Sequence, residues 1–236
     1  RNGFGKTRLY ASFPGYIDRT GTYGDANEVL SHPLDIVKYI LDNYGKFPFD
    51  LSAIDEDNIQ KMKSLTPKHS ASVYIKSNEE LQPFNLISKL CNQFGYFWTN
   101  YRGKIIFNNM DFDNVKWNKP LSDNLNIIDI PSETERGYEN IYTSVKYKYD
   151  KNFTPNSQEN FNNTILIDES NNSLLRDVSS IKGQSNQLEI KANYVTESHV
   201  ARDVVPNIVK FNSNRTIMYD VEVKDIGDEY IPGELV

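Results

Sequence analysis

The sequence predicts an α+β chain. Apolar residues recur at helical spacing in several separated stretches, other stretches alternate apolar with polar residues, and Gly, Pro and Asn punctuate the intervals. At 236 residues the chain can bury a sizeable core, as one large domain or two small ones. Hydrophobic residues make up 38% and aromatic residues 12%, with Tyr 15 and Phe 12, so tyrosine carries part of the burial, as it does in half-exposed sheets and at subunit contacts.

Residues 1–25 are rich in Gly, Tyr and Thr, include Pro14, and read as an irregular strand or a connecting arm. Ser31-His32-Pro33 opens the clearest helix, with Ser31 as cap, Pro33 in the first turn, Leu34, Val37, Leu41 and Tyr44 on one face, and Gly45 as the stop. A second helix is predicted over 55–65, acidic at its positive end and stopped by Thr66-Pro67. A strand follows at 72–76, where Val73 and Ile75 alternate with Tyr74. Asn78-Glu79-Glu80 leads into a third helix through Phe84, Ile87, Leu90, Cys91 and Phe94, closed by Gly95. The strongest hairpin comes next: a strand at 96–99, a turn at 100–103 and a return at 104–107.

Residues 108–136 are polar, contain Pro120 and Pro131, and read as a long connection. That places a boundary between a helix-and-hairpin α/β subdomain over 30–130 and a β-rich domain with one helix over 131–236, with residues 1–29 contributing a strand or arm. Strands are predicted in the second part at 140–149, 164–168, 187–194 and 216–224. Its helix is predicted over 196–211, with Val200, Val204, Ile208 and Phe211 on one face and a kink or break at Pro206. Arg1 at the start and the strand-like Tyr230–Val236 at the end suggest a piece of a longer chain.

The formal charge is -6, and no segment gathers Lys and Arg into the one-sided stripe that a phosphate backbone demands, so specific nucleic-acid binding is not expected. No apolar run approaches the roughly 18 residues of a bilayer span, which argues against membrane insertion. Cys91 is the single cysteine, so neither a disulfide nor a thiolate metal site can form within one chain, and its apolar helical neighbours predict a buried thiol. Gly3-Phe4-Gly5-Lys6-Thr7 ends like a phosphate-binding loop, but the required earlier glycine would fall before Arg1.

The acidic pairs Asp55 with Asp57, Asp111 with Asp113, and Asp225 with Asp228 lie in polar segments, where solvated carboxylates are the default. His32, His69 and His199 are far apart and form no metal-ligand spacing. Around the hairpin, Tyr96, Phe97, Trp98 and Tyr101 read as core or subunit contact ahead of a sugar-stacking platform, because alternation puts Tyr96 and Trp98 on one side and Phe97 on the other. The expectation is therefore no catalytic, cofactor-binding or metal site, and no enzyme.

The order of these features carries more information than any one of them. Pro33-Leu-Asp-Ile-Val-Lys-Tyr-Ile-Leu-Asp-Asn43, then Val73-Tyr74-Ile75, then a helix running into Gly95-Tyr96-Phe97-Trp98 with Gly103-Lys104-Ile105-Ile106-Phe107 returning, resembles the hub proteins of bacteriophage tails and baseplates. The second half continues the likeness with Glu139-Asn140-Ile141-Tyr142, Val178 to Gly183, Val200-Ala201-Arg202 and Ile226-Gly227-Asp228 in that order. The resemblance covers roughly residues 30 to 230 and implies antiparallel barrel-like β-domains with packed helices, a homotrimer capping the tail tube in the virion, and contacts with distal-tail, tape-measure and tail-tube proteins. It implies assembly without catalysis. A lumen lined with carboxylates would repel passing DNA, which suits an acidic protein. A receptor- or carbohydrate-binding module is the competing expectation.

Overall fold

A computed structural model describes residues 15–44, 50–73, 82–109, 127–135, 141–152, 160–183, 185–213 and 217–223. The P-loop-like stretch at 3–7, Tyr74 to Lys76 of the strand expected at 72–76, and the acidic pairs at 111–113 and 225–228 lie outside them; Ser72 and Val73 are described and are not in a strand. The described elements mix helices with small sheets, as an α+β chain requires.

The chain enters through a two-stranded ribbon, β1 (Ile17–Asp18) against β2 (Glu28–Val29). Between the strands the Asp18 carboxylate accepts from the backbone amides of Thr20, Gly21, Tyr23 and Gly24, so one buried side chain organises the loop. Burial pushes this carboxyl up, but the Tyr23 and Gly24 amides, with Thr20, outweigh it and hold it well below the usual carboxylate range. Gly24 sits at a close approach, where a Cβ would lie 3.0 Å from Asp35 Oδ2 and the neighbouring side chains would have to shift.

Helix α1 (Pro33–Tyr44) buries Leu34, Val37, Ile40 and Leu41 as its spacing predicts, while Tyr44, placed on that face by the sequence, is 38% exposed. Its cap differs from expectation. The His32 carbonyl accepts from the Ile36 amide and His32 Nδ1 accepts from the Leu34 amide at 3.3 Å, so the imidazole, not the Ser31 hydroxyl, caps the helix. Helix α2 (Glu56–Leu65) begins at Asp55, which caps the Asn58 amide, and two ion pairs, Lys38 to Glu56 and Lys63 to Asp35, both at 2.9 Å, tie it to α1. Helix α3 (Pro83–Gln93) starts on proline and packs on α1.

Strands β3 (Tyr96–Tyr101) and β4 (Lys104–Asn109) form the expected hairpin. The turn is the two residues Arg102 and Gly103, at φ 53° and 76°, the left-handed pair that matches strand twist. The outer edge of β4 is covered. Asn58 Nδ2 donates to the Phe107 carbonyl while Asn58 Oδ1 accepts from the Phe107 amide, and Asp55 N donates to the Ile105 carbonyl.

The stretch read as a long connection carries strand β5 (Ile127–Glu135), which pairs antiparallel with β9 (Ile217–Val223). Pro131 disguised it: the missing N–H falls where the register shifts between Asp129 and Ser132, a bulge that tolerates proline. Strand β6 (Ser144–Lys151) is central in a three-stranded sheet, antiparallel to β7 (Phe161–Ile167) and parallel to β8 (Gln187–Lys191). The parallel pair departs from the antiparallel expectation, and the chain achieves it through an unforeseen helix, α4 (Ser173–Lys182), capped by Asn172 and ended by Gly183 at φ 64°. Among the described residues the second segment thus has two helices instead of one.

Helix α5 (Ser198–Ser213) runs through Pro206 without a break. Pro206 and Arg202, whose carbonyl loses its i+4 donor, both lie on the exposed side of the helix. Val200, Val204 and Ile208 are buried as predicted, whereas Phe211 is 40% exposed and Ala201, Val205 and Val209 complete the apolar stripe. Residues from both segments share one core, from Leu34, Leu90 and Phe107 to Val145, Tyr147 and Val205. Polar contacts join them as well: Tyr147 donates to the Gln93 carbonyl at 2.7 Å, and Ser72 N to the Tyr194 carbonyl at 2.9 Å.

Candidate functional site

Among the described residues a connected polar cluster lies where α1, α2, β3 and α5 meet. His32 precedes α1, Thr66 ends α2, His69 sits in the loop beyond, Tyr96 begins β3 and Asp203 projects from α5. His32 Nε2 lies 3.3 Å from the Thr66 carbonyl, Tyr96 Oη 2.9 Å from Thr66 Oγ1, His69 Nδ1 2.6 Å from Tyr96 Oη, and His69 Nε2 2.9 Å from Asp203 Oδ2. Thr66 Oγ1 also reaches the Met62 carbonyl at 2.9 Å.

Hydrogen-bond bookkeeping fixes one histidine and leaves the other two settings. His32 Nδ1 accepts from the Leu34 amide, so its proton is on Nε2, facing the Thr66 carbonyl. Burial, with Lys63 and His69 nearby, pushes His32 down to about 4, so the ring is neutral near pH 7. For His69, Nε2 must carry a proton toward the Asp203 carboxylate. With a neutral ring, Tyr96 O–H donates to Nδ1 and Thr66 O–H turns to Tyr96 Oη. With a charged ring, Nδ1–H donates to Tyr96 Oη, Tyr96 O–H to Thr66 Oγ1 and Thr66 O–H to the Met62 carbonyl. Every link from Thr66 to Asp203 survives both settings, while the Thr66 hydroxyl reaches the Met62 carbonyl only with the charged ring. Burial lowers the His69 pKa, with Asp203 opposing it.

Asp, His and a hydroxyl in series resemble a relay that activates a nucleophile, and the chemistry fails on access. Tyr96 is 0% exposed and burial drives its pKa up, so no substrate atom can reach its oxygen. The exposed member is Asp203, the wrong end for nucleophilic attack. The arrangement holds four elements in register.

The sequence-derived candidates are scattered. His199 is exposed on α5, its Nε2 donating to the Lys68 carbonyl at 3.0 Å. Asp55 is a helix cap, and Asp57 is exposed in the first turn of α2. Cys91 is 1% exposed and burial pushes its thiol up to about 12, which leaves it inert as a nucleophile at neutral pH. Among the described residues no group of three or more His, Cys, Asp and Glu converges on a common point. No helix among them is long and apolar enough to cross a membrane.

The hairpin aromatics divide by position along the strand, although alternation puts Tyr96 and Trp98 on one side. Tyr96 is fully buried, whereas Trp98 is half-buried, stacked on Phe84 at 5.7 Å and donating Nε1–H to Ser88 Oγ. Phe84, expected on the buried face of its helix, is 47% exposed. A second aromatic cluster escaped the sequence reading: Tyr39 lies 4.5 Å from Tyr16, 5.3 Å from Tyr23 and 6.1 Å from Tyr44. Tyr39 and Tyr44 are helical neighbours, but Tyr16 and Tyr23 arrive from the ribbon, and no local pattern announces that. No protein-family model matches the chain, and no curated protein matches it.

Proposed function

We propose that this chain is an assembly module of a phage-type tail tip or baseplate hub, acting as a homotrimer with distal-tail, tape-measure and tail-tube partners and performing no catalysis. The order of features carries the reading: a helix over 33–44, a helix delivered into the Gly95-Tyr96-Phe97-Trp98 hairpin, and the β6 strand before the helix bearing Val200-Ala201-Arg202 resemble that family in sequence order. The barrel-like β-domains and the acidic DNA conduit belong to the same proposal.

The physical state of the strands supports an assembly role. Among the described residues β5 and β9 form a two-stranded ribbon, and an isolated two-stranded ribbon is marginal in water until more strands or a helix join it. Ile130 of β5 is exposed, as are Ile17 and Val29 of the β1–β2 ribbon. Light scattering on the intact protein tests the proposal: a trimer is expected, and a stable monomer at high concentration counts against it.

The stacked pair Phe84 and Trp98, with Phe84 47% exposed, favours a second reading as a receptor- or carbohydrate-binding surface. Quenching or a shift of Trp98 fluorescence on adding oligosaccharides would move that reading to first place.

A further inference from the structure

The two buried histidines of the polar cluster answer a proton differently. His69 can take one without losing a hydrogen bond, because the Tyr96 and Thr66 hydroxyls reverse and the Asp203 carboxylate faces the new charge at 2.9 Å. His32 cannot. Its Nδ1 lone pair is the acceptor for the Leu34 amide at the start of α1, and protonation would set N–H against N–H at the positive end of a helix.

We propose that His32 is a pH-gated cap of α1, holding the helix start as a neutral imidazole and releasing the Leu34 amide when it is protonated, while its Nε2–H stays on the Thr66 carbonyl of the α2 terminus. The surrounding charges leave the imidazolium without a strong acceptor. From α1, Asp35 is engaged by Lys63 at 2.9 Å and Lys38 by Glu56 of α2 at 2.9 Å. Lys63 itself faces His32, as does His69 from the loop beyond α2. The α2 terminus offers only the Thr66 carbonyl and hydroxyl, at 3.3 and 3.5 Å. From β3 and α5, Tyr96 and Asp203 are turned to His69, while His199 is bonded to the Lys68 carbonyl.

The sign follows from linkage. A base whose folded pKa lies below its unfolded value of 6.5 contributes stability that is complete above about 6.5 and is lost as the pH falls towards about 4. At pH 5 the gap between those values corresponds to a roughly thirtyfold rise in the unfolding constant relative to pH 8.

The test compares urea unfolding at pH 8 and pH 5 for this chain and for His32→Asn, which keeps a neutral capping side chain. The wild type should weaken by about thirtyfold more than His32→Asn over that interval. Equal pH dependence in the wild type and His32→Asn overturns the proposal. Imidazole nitrogen shifts in the wild type give a second readout that does not depend on the variant folding. A neutral ring protonated on Nε2 that titrates well below the ordinary histidine range is the expected result. An Nδ1-protonated ring, or titration near 6.5, overturns it.

Discussion

The hairpin β3–β4 and the three-stranded sheet β7–β6–β8 are both small antiparallel-based units, yet they are buried in different ways. In the hairpin, Tyr96 and Phe107 reach 0% exposure, because α3 lies against β3 while Asn58 and Asp55 cover the edge of β4. In the sheet only the central strand is closed. Val145 and Tyr147 are 0% exposed, but Ile165, Ile167, Leu188 and Ile190 on the flanking strands are half-buried. Alternating apolar residues therefore say which side chains face inward, and the helices packed above them decide how much water leaves.

Truncations should break that comparison most sharply. Phe107→Ala is expected to cost about 3–5 kcal/mol, and Ile165→Ala distinctly less, because a half-buried side chain at the sheet margin loses less transfer energy and leaves a more accessible gap. Urea unfolding of the two variants measures the difference, and equal costs would show that the sheet margin is as closed as the hairpin.

Polar substitutions sharpen the account of how the hairpin edge is covered. Asn58→Ala should cost about 1–3 kcal/mol, since it strips both the amide and the carbonyl of Phe107 of a partner. Faster amide exchange at Phe107 would identify the cause. Cys91→Ser should cost a similar ~1–3 kcal/mol by burying an unpaired hydroxyl, and the native thiol should resist labelling until the chain unfolds. Fast labelling in the folded state would contradict the packing of α3 on the hairpin.

The smallest expected effect is at the turn. Gly103→Ala should cost only about 1 kcal/mol, because a Cβ there meets no atom within 4 Å and the penalty is the positive φ alone. A larger loss would mean that the turn is packed, as it would be if the hairpin tip were a contact surface within this chain.

Much of the fold was legible because it is local. Leu34, Val37 and Leu41 mark α1 by spacing, Gly103 marks the hairpin turn, and Val200, Val204 and Ile208 mark the inner face of α5. Three features were misread where one local signal hid another. Pro131 masked β5, Pro206 suggested a break in a helix that runs through it, and the Asn172 cap and Gly183 stop of α4 were overlooked among Asn-rich loops.

The sequence by itself determined the helices and strands with strong periodicity and the buried character of Cys91. Only the tertiary structure decided that His32, Thr66, Tyr96, His69 and Asp203 form one connected cluster, with its ends separated by 171 residues. Periodicity reports which way a side chain faces within its own element. A hydrogen bond between elements depends on how those elements are stacked, and for His32, read as a neighbour of the expected Ser31 cap, that stacking added the Thr66 carbonyl as a partner.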